Sequence, residues 1–456
     1  MTVSFTLFEL AEATAGRLVG ADEDVVLDRL VIDSREAAGG ALFVALVGET
    51  TDGHRFLGQA AEAGAAAVLC QSAPVDLAVP RVFVDDTREA LVQFTRHQLR
   101  RQPCTVVGVT GSVGKTSTKE MVAAVLARRF EVLKTEGNLN TYTGLPMSVA
   151  RMEPRHQVFI AEYAMSALGE IAFLARMAPP DVAIVLNVGL SHVGLLGTIE
   201  AVAQAKRELV EALDASGVAI LNADDARVAA MAPASRGRVL TFGLGDADVR
   251  AESVRLDGLS GSSFAIVLPG GERAQVSLKS PGAHAVSNAL AAAATGHVMG
   301  LSAQQVAEGL SAAQPLAGRG SLRPGRLGSL VIDDAYNASP SSMEAALRVL
   351  LSETARPRVA VLGEMLELGD EAPGAHRQVG LAAAGADYLV ALGEHAQEVR
   401  EGAREAGMAE DKITIVDSAE AAAAAVEPRL ENAVVLVKAS RGMALEKVVE
   451  RLVEPA

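Results

Sequence analysis

Short apolar runs, each closed by a glycine or a polar turn, recur along most of this chain. Longer segments with apolar residues three and four apart follow them. That spacing predicts buried strands alternating with amphipathic helices, the pattern of an α/β protein. Over the first hundred residues, 41–48 (ALFVALVG), 65–70 (AAAVLC) and 81–86 (RVFVDD) read as strands and 54–64 as a helix. Thr87 is the expected N-cap of a helix running to Arg101. A polar break at Arg101-Gln102-Pro103 precedes a second series, with strands predicted at 104–109, 157–162, 181–187 and 217–222. Polar and apolar residues then alternate over 249–280 around Gly270-Gly271, which predicts a hairpin forming an antiparallel edge to the same sheet.

A helix from Ala283 to Met299 and a Pro/Gly-rich stretch at 314–326, read as a flexible hinge, lead to a third series. Its strands are expected within 329–334, 358–363, 387–393, 412–416 and 433–439, a doubly wound arrangement that gathers ligands at the carboxyl ends of its strands. The expected units are therefore residues 1–102, 103–314 and 315–456, with parallel-sheet folds in series and a site where the last two meet.

Composition narrows this picture. A chain of 456 residues has room for about three domains. With 41 basic against 56 acidic residues the net charge is −15, which argues against a broad nucleic-acid or anionic-membrane surface but leaves a local nucleotide site open. There is no Trp and aromatics are 3%, so the cores must be built from Ala, Val and Leu. Cys70 and Cys104 make neither a disulfide framework nor a zinc site, which fits a reducing cytoplasm. No signal peptide is expected from the N-terminus, and no apolar run approaches the roughly 18 residues of a membrane span.

The strongest chemical signal is Thr110-Gly111-Ser112-Val113-Gly114-Lys115-Thr116-Ser117, between a strand and a helix. Such a loop closes backbone N–H groups around phosphate oxygens at a helix N-terminus. Lys115 would reach the β- and γ-phosphates and the Thr116 hydroxyl would ligate Mg²⁺. The loop departs from the strict pattern, whose first glycine position is Val109. Glu162 ends one strand and His192 follows another, where a carboxylate suits a hard cation. Read alone, Lys206 is a solvated helix lysine. Asp333-Asp334-Ala335-Tyr336-Asn337 is a turn that, opposite a phosphate loop, could hold a ribose, and Arg319 is either a phosphate ligand or a loop arginine in water.

Taken in order, TGSVGKTSTKEM, KTEGNLN, GLPMSV, LNVGLSHVG, AQAKRELV, LNADD, PGAHAVSNALAAAA, GRGS, IDDAYNASPSSMEAAL, VLGEMLELG and VKASRGMALEKV resemble the Mur ligase family over nearly the whole chain. The resemblance implies a UDP-binding N-terminal domain, a central ATPase domain and a C-terminal Rossmann-like domain. VLGEMLELGDEAPGAHRQVG points to the member that uses ATP to join D-Ala-D-Ala to UDP-MurNAc-tripeptide, through an acyl phosphate, in the last cytoplasmic step of peptidoglycan precursor synthesis. Two Mg²⁺ ions and a monomer are expected.

The resemblance also implies roles. Lys115, Glu162, His192, Lys206 and Arg319 would be catalytic, with Thr116, Glu162, His192 and a carbamylated Lys206 serving the metal. Asn288 would contact adenine, Arg319 the γ-phosphate, and Asp334 and Asn337 the ribose and phosphate. Ser34, Arg35, Asp52 and His54 would lie at the UDP-sugar end, with Asn138 and Asn140 nearer the muramoyl peptide. Three departures stand out: Glu162-Tyr163-Ala164 for Glu-Met-Gly, Asn140-Thr141 for Asn-Asn, and Lys438-Ala439-Ser440-Arg441 for Lys-Gly-Ser-Arg. A sister amide ligase, a folylpolyglutamate synthetase and a silent nucleotide-binding protein are the alternatives, and acceptor choice separates them.

Overall fold

A computed structural model describes residues 5–20, 25–48, 50–74 and 76–454, so the first four and last two residues of the expected outer units lie outside it. Three large sheets form. The first orders Arg17–Val19, Arg81–Phe83, Ala67–Cys70, Ala41–Val44 and Arg29–Val31, all parallel except the edge pair of Arg17–Val19 with Arg81–Phe83. The helix Thr87–Arg101 is capped by Asp86 rather than Thr87. Asp86 has the extended backbone a cap needs, and its carboxylate accepts from the N–H groups of Arg88 and Glu89. The helix expected at 54–64 begins as a 3₁₀ turn, Gly53–Phe56, before Leu57–Glu62.

The second sheet holds nine strands. Thr105–Thr110 is the third strand from one edge, flanked by Val158–Glu162 on one side and Val182–Val185 on the other, all parallel. The chain moves outward to Val132–Lys134, returns through Val158–Glu162 and then crosses to Val182–Val185. The strand order thus reverses at Thr105–Thr110, which opens a crevice at its carboxyl end. Val249–Leu256, Ser262–Val267 and Arg273–Leu278 form the antiparallel edge expected there. The buried helix Ala283–Val298 packs on Lys115–Leu126, and its Ala289, Leu290 and alanines 291–294 are all fully buried. Small side chains let two helices approach closely in a core that lacks Trp.

The third sheet orders Ser321–Pro324, Leu330–Asp334, Val434–Lys438, Arg358–Leu362, Tyr388–Leu392 and Ile413–Val416. The stretch 314–326, expected to be flexible throughout, is not. Ser321–Pro324 pairs antiparallel with Leu330–Asp334, and the Gly320 N–H donates to Asp333 O at 2.9 Å. Proline is tolerated there because the strand lies at the sheet's edge.

The two seams between units differ. Phe5, Leu7 and Phe94 of the first unit share one apolar cluster with Leu145, Phe159 and Ile171 of the second. The second and third units instead face each other across a large cavity lined by many charged and amide side chains. No helix among the described residues is long and apolar enough to cross a membrane.

Candidate active site

The cavity between the second and third units has a volume of about 1480 Å³. Carboxyl ends of strands from both sheets meet it: the loop after Thr105–Thr110, Glu162, the turn after Val182–Val185, Asp334 and Lys438. Ser112, Val113, Gly114, Lys115, Thr116 and Ser117 line its floor, while Thr110 and Gly111 sit behind them. Gly114 has φ 85, and a Cβ there would lie 2.7 Å from Asn288 Oδ1, so glycine gives both the turn and the close approach of Asn288.

On the floor, the Thr116 hydroxyl donates to Glu162 Oε2 at 2.8 Å and Asn140 Nδ2 donates to Oε1 at 3.0 Å. Glu162 is 2% exposed. A buried carboxylate beside a hydroxyl at a helix N-terminus is an oxygen donor set that suits Mg²⁺. Lys115 Nζ donates back to Gly111 O at 2.8 Å. Burial pushes its pKa down and the Arg319 charge adds to this, while Glu162 opposes both.

Lys206 is not the solvated lysine its helix neighbours suggested. It is 1% exposed, and no hydrogen bond or ion pair among the described residues reaches its ammonium. Burial drives its pKa well below the ordinary lysine range, and the Lys115 charge pushes the same way. It sits behind the cavity wall rather than lining it. Carbamate formation with CO₂ needs the deprotonated amine, and burial without a partner among the described residues favours that form, so Lys206 fits this modification.

Arg319 lies over the Tyr336 ring at 4.0 Å, held at the cavity's edge rather than free in solvent. Asp334 Oδ2 is 2.7 Å from Lys438 Nζ, which also donates to Asn337 O at 2.8 Å. Burial raises the Asp334 pKa and Lys438 offsets this. Asn138, Asn288, Asn337 and His192 also line the cavity.

The four residues expected at the UDP end lie away from it, in the first unit. Ser34 Oγ donates to Gln59 Oε1 at 2.9 Å, and Arg35 is paired with Asp33. His54 Nδ1 donates to Asp52 Oδ1 at 2.6 Å, and its Nε2 accepts from the Gln71 N–H. Arg88, stacked on Tyr142 at 4.5 Å, carries the first unit's edge into the cavity.

Sequence reasoning assigned no role to Lys119 or Lys438, both buried lysines within quoted segments. It also passed over Glu364, His376 and His395, whose ligand atoms lie within 4.8 Å of one another. His376 Nε2 already accepts from the Met365 N–H at 3.0 Å, so these groups brace a loop. The departures are absorbed locally. Tyr163 is fully buried and donates to Ala178 O, and neither Ala164 nor Ala439 needs a positive φ.

Three family descriptions match the chain: "Mur ligase family, catalytic domain" over 27–100, "Mur ligase middle domain" over 109–296 and "Mur ligase, glutamate ligase domain" over 318–441. The chain belongs to the Mur ligase family. This Mur ligase is 36% identical to the UDP-N-acetylmuramoyl-tripeptide--D-alanyl-D-alanine ligase of Escherichia coli K12, covering 99% of each chain. It is 36% identical to the ligase of the same name from Bacillus subtilis, over 98% of each. A crystal structure of MurF from Acinetobacter baumannii superposes with a TM-score of 0.89 at 32% identity, over 98% of both chains. MurF from Thermotoga maritima in complex with ADP gives 0.82 at 29% identity, over 94% of this chain and 98% of that one.

Proposed function

We propose that this Mur ligase uses ATP to join D-alanyl-D-alanine to UDP-N-acetylmuramoyl-tripeptide, completing the pentapeptide precursor of peptidoglycan. The observation that carries it is the Thr116–Glu162–Asn140 cluster at the phosphate loop, facing Arg319 across one cavity, in a chain matched end to end by ligases of that name. The units are taken as residues 1–102, 103–314 and 315–456.

Joining a carboxylate to an amine needs a better leaving group than O⁻. Phosphoryl transfer from ATP to the tripeptide's terminal carboxylate makes an acyl phosphate, which the dipeptide's free amine attacks to expel phosphate. Two anions must approach for the first step, so positive charge has to gather between them. Lys115 and Arg319 supply it from opposite walls. Thr116, Glu162 and His192 would hold Mg²⁺, with Lys206 joining them as a carbamate. Bound Mg²⁺ supplies charge neutralisation at the phosphate oxygens. Asn288, Asp334 and Asn337 orient the nucleotide, Asn138 and Asn140 the muramoyl peptide, and Ser34, Arg35, Asp52 and His54 the uridine end. Closure of the third unit over the cavity keeps water from the acyl phosphate.

The chain is taken to act as a monomer. An ATP-fed enzyme works in the cytoplasm, and free Cys70 and Cys104 fit a reducing compartment. The test is phosphate release with UDP-MurNAc-tripeptide and ATP, with and without D-Ala-D-Ala, reading the product mass. Release that needs the dipeptide and yields the pentapeptide is expected. Turnover with a single amino acid instead would assign the chain to a sister ligase.

A further inference from the structure

Across the polar seam, one short turn of the central unit is built into the C-terminal one. Val193 is 5% exposed and packs in the C-terminal core with Met365 and Leu368. The Gly194 N–H donates to Glu367 O at 2.9 Å. A Cβ on Gly194 would lie 2.6 Å from Gly369 N and 2.9 Å from Glu367 O, so only glycine allows this approach. Between these contacts, His192 Nδ1 lies 2.5 Å from Glu367 Oε2. The contact is not aligned as a regular hydrogen bond, and Nδ1 has no other partner.

Both residues stand in the left-handed region, His192 at φ 65 and Glu367 at φ 64. Side-chain-bearing residues rarely adopt it, and such backbone persists where the surroundings impose it. The surroundings of Glu367 do so. Its loop is tied down by the Gly363 N–H on Lys438 O, the Met365 N–H on His376 Nε2, the Leu366 N–H on Ser440 Oγ and the Ser440 N–H on Glu364 O. Glu364 in turn accepts from His395 Nδ1 at 2.6 Å. A braced loop therefore carries one carboxylate to one imidazole of the opposite unit.

We infer that Glu367 is a positioning residue for His192. The carboxylate of the C-terminal unit engages Nδ1, fixes the ring and leaves Nε2 as the nitrogen available to a divalent cation. The cation site is then complete only when the two units are docked. This rests on the reading of His192 as a metal ligand. Imidazoles that bind metals generally have their second nitrogen held by a carboxylate or carbonyl, and removing that partner costs about 10–100-fold in metal affinity.

The test is Mn²⁺ binding to the full chain in the presence of a non-hydrolysable ATP analogue, followed by electron paramagnetic resonance. Glu367→Asn keeps the backbone, since Asn tolerates positive φ, but withdraws the acceptor by one methylene. Glu367→Gln keeps the reach and an oxygen that can accept. Mn²⁺ affinity should fall about tenfold in Glu367→Asn and be largely recovered in Glu367→Gln, with metal-free analogue binding unchanged in both. Unchanged Mn²⁺ affinity in Glu367→Asn would overturn the inference, as would a rise confined to the KM for D-Ala-D-Ala. A loss that Glu367→Gln does not recover would overturn the contact as its cause. If the wild-type chain failed to make pentapeptide, the proposed activity would fall while the metal titration was still read on its own.

Discussion

The seam between the first and second units and the seam between the second and third are built from opposite materials. At the first, Phe94 is fully buried with Phe5 at a ring separation of 4.7 Å, and its helix packs on Gly144–Val149 and Glu170–Met177. At the second, lysines, carboxylates and amides surround a cavity, and the turn carrying Val193 is the buried apolar plug, with partly buried Leu190 and Leu259 beside the same core. Apolar burial holds parts together without needing a ligand, whereas polar walls gain most when a ligand satisfies them. The first seam is therefore a fixed joint and the second a working one.

Breaking the fixed joint should have the largest effect. Phe94→Ala is expected to cost about 3–5 kcal/mol, the range for emptying a buried aromatic site, with the first two units melting together. Denaturant unfolding checks this, and a loss under about 1 kcal/mol would mean the joint is not load-sharing. At the working seam, Lys115→Ala should lower kcat at least about a hundredfold while leaving the melting temperature close to wild type. Retained turnover would remove Lys115 from the site. Val193→Ala removes two buried methyls, worth about 1.5 kcal/mol, and should act on docking rather than folding. Small-angle scattering should show a larger radius of gyration for this variant without ligands, and an unchanged radius would count against the plug.

The smallest effect concerns acid. Burial lowers the pKa of His376 below its ordinary 6.5, so the folded chain favours the neutral ring. As pH falls below 6.5 the unfolded chain takes up the proton first, and stability declines until the folded pKa is passed. Protonation also ends acceptance from the Met365 N–H. The melting temperature should therefore fall between pH 7.5 and pH 5 by more in wild type than in His376→Gln. Equal slopes would show that the loop does not depend on the neutral ring.

How legible each part was follows from how local its cause is. The phosphate loop could be read directly because strand, glycines, lysine and threonine are consecutive. The antiparallel edge at 249–280 could be read from period-two alternation. Lys206 could not, because its burial is set by elements distant in sequence and its immediate neighbours include charged residues. Glu367 was hidden for the same reason: its partner His192 belongs to another unit, and only docking brings them together. The 314–326 stretch misled because Gly and Pro suit an edge strand as well as a loose linker. Thr87 lost the cap because Asp86, one residue earlier, offers the better acceptor.

The pairing of Ser321–Pro324 with Leu330–Asp334 has a consequence for how the working seam closes. The last central helix ends at Ala312, and the C-terminal unit already holds its chain at Gly318, whose N–H donates to Asp333. Only residues 313–317 span the gap. A tether that short holds its two ends at an effective concentration in about the millimolar range. Arg319, two residues beyond, therefore searches a small volume near the phosphate loop, and little entropy is left to lose when the wall swings in. The enzyme has a short leash in place of a flexible arm.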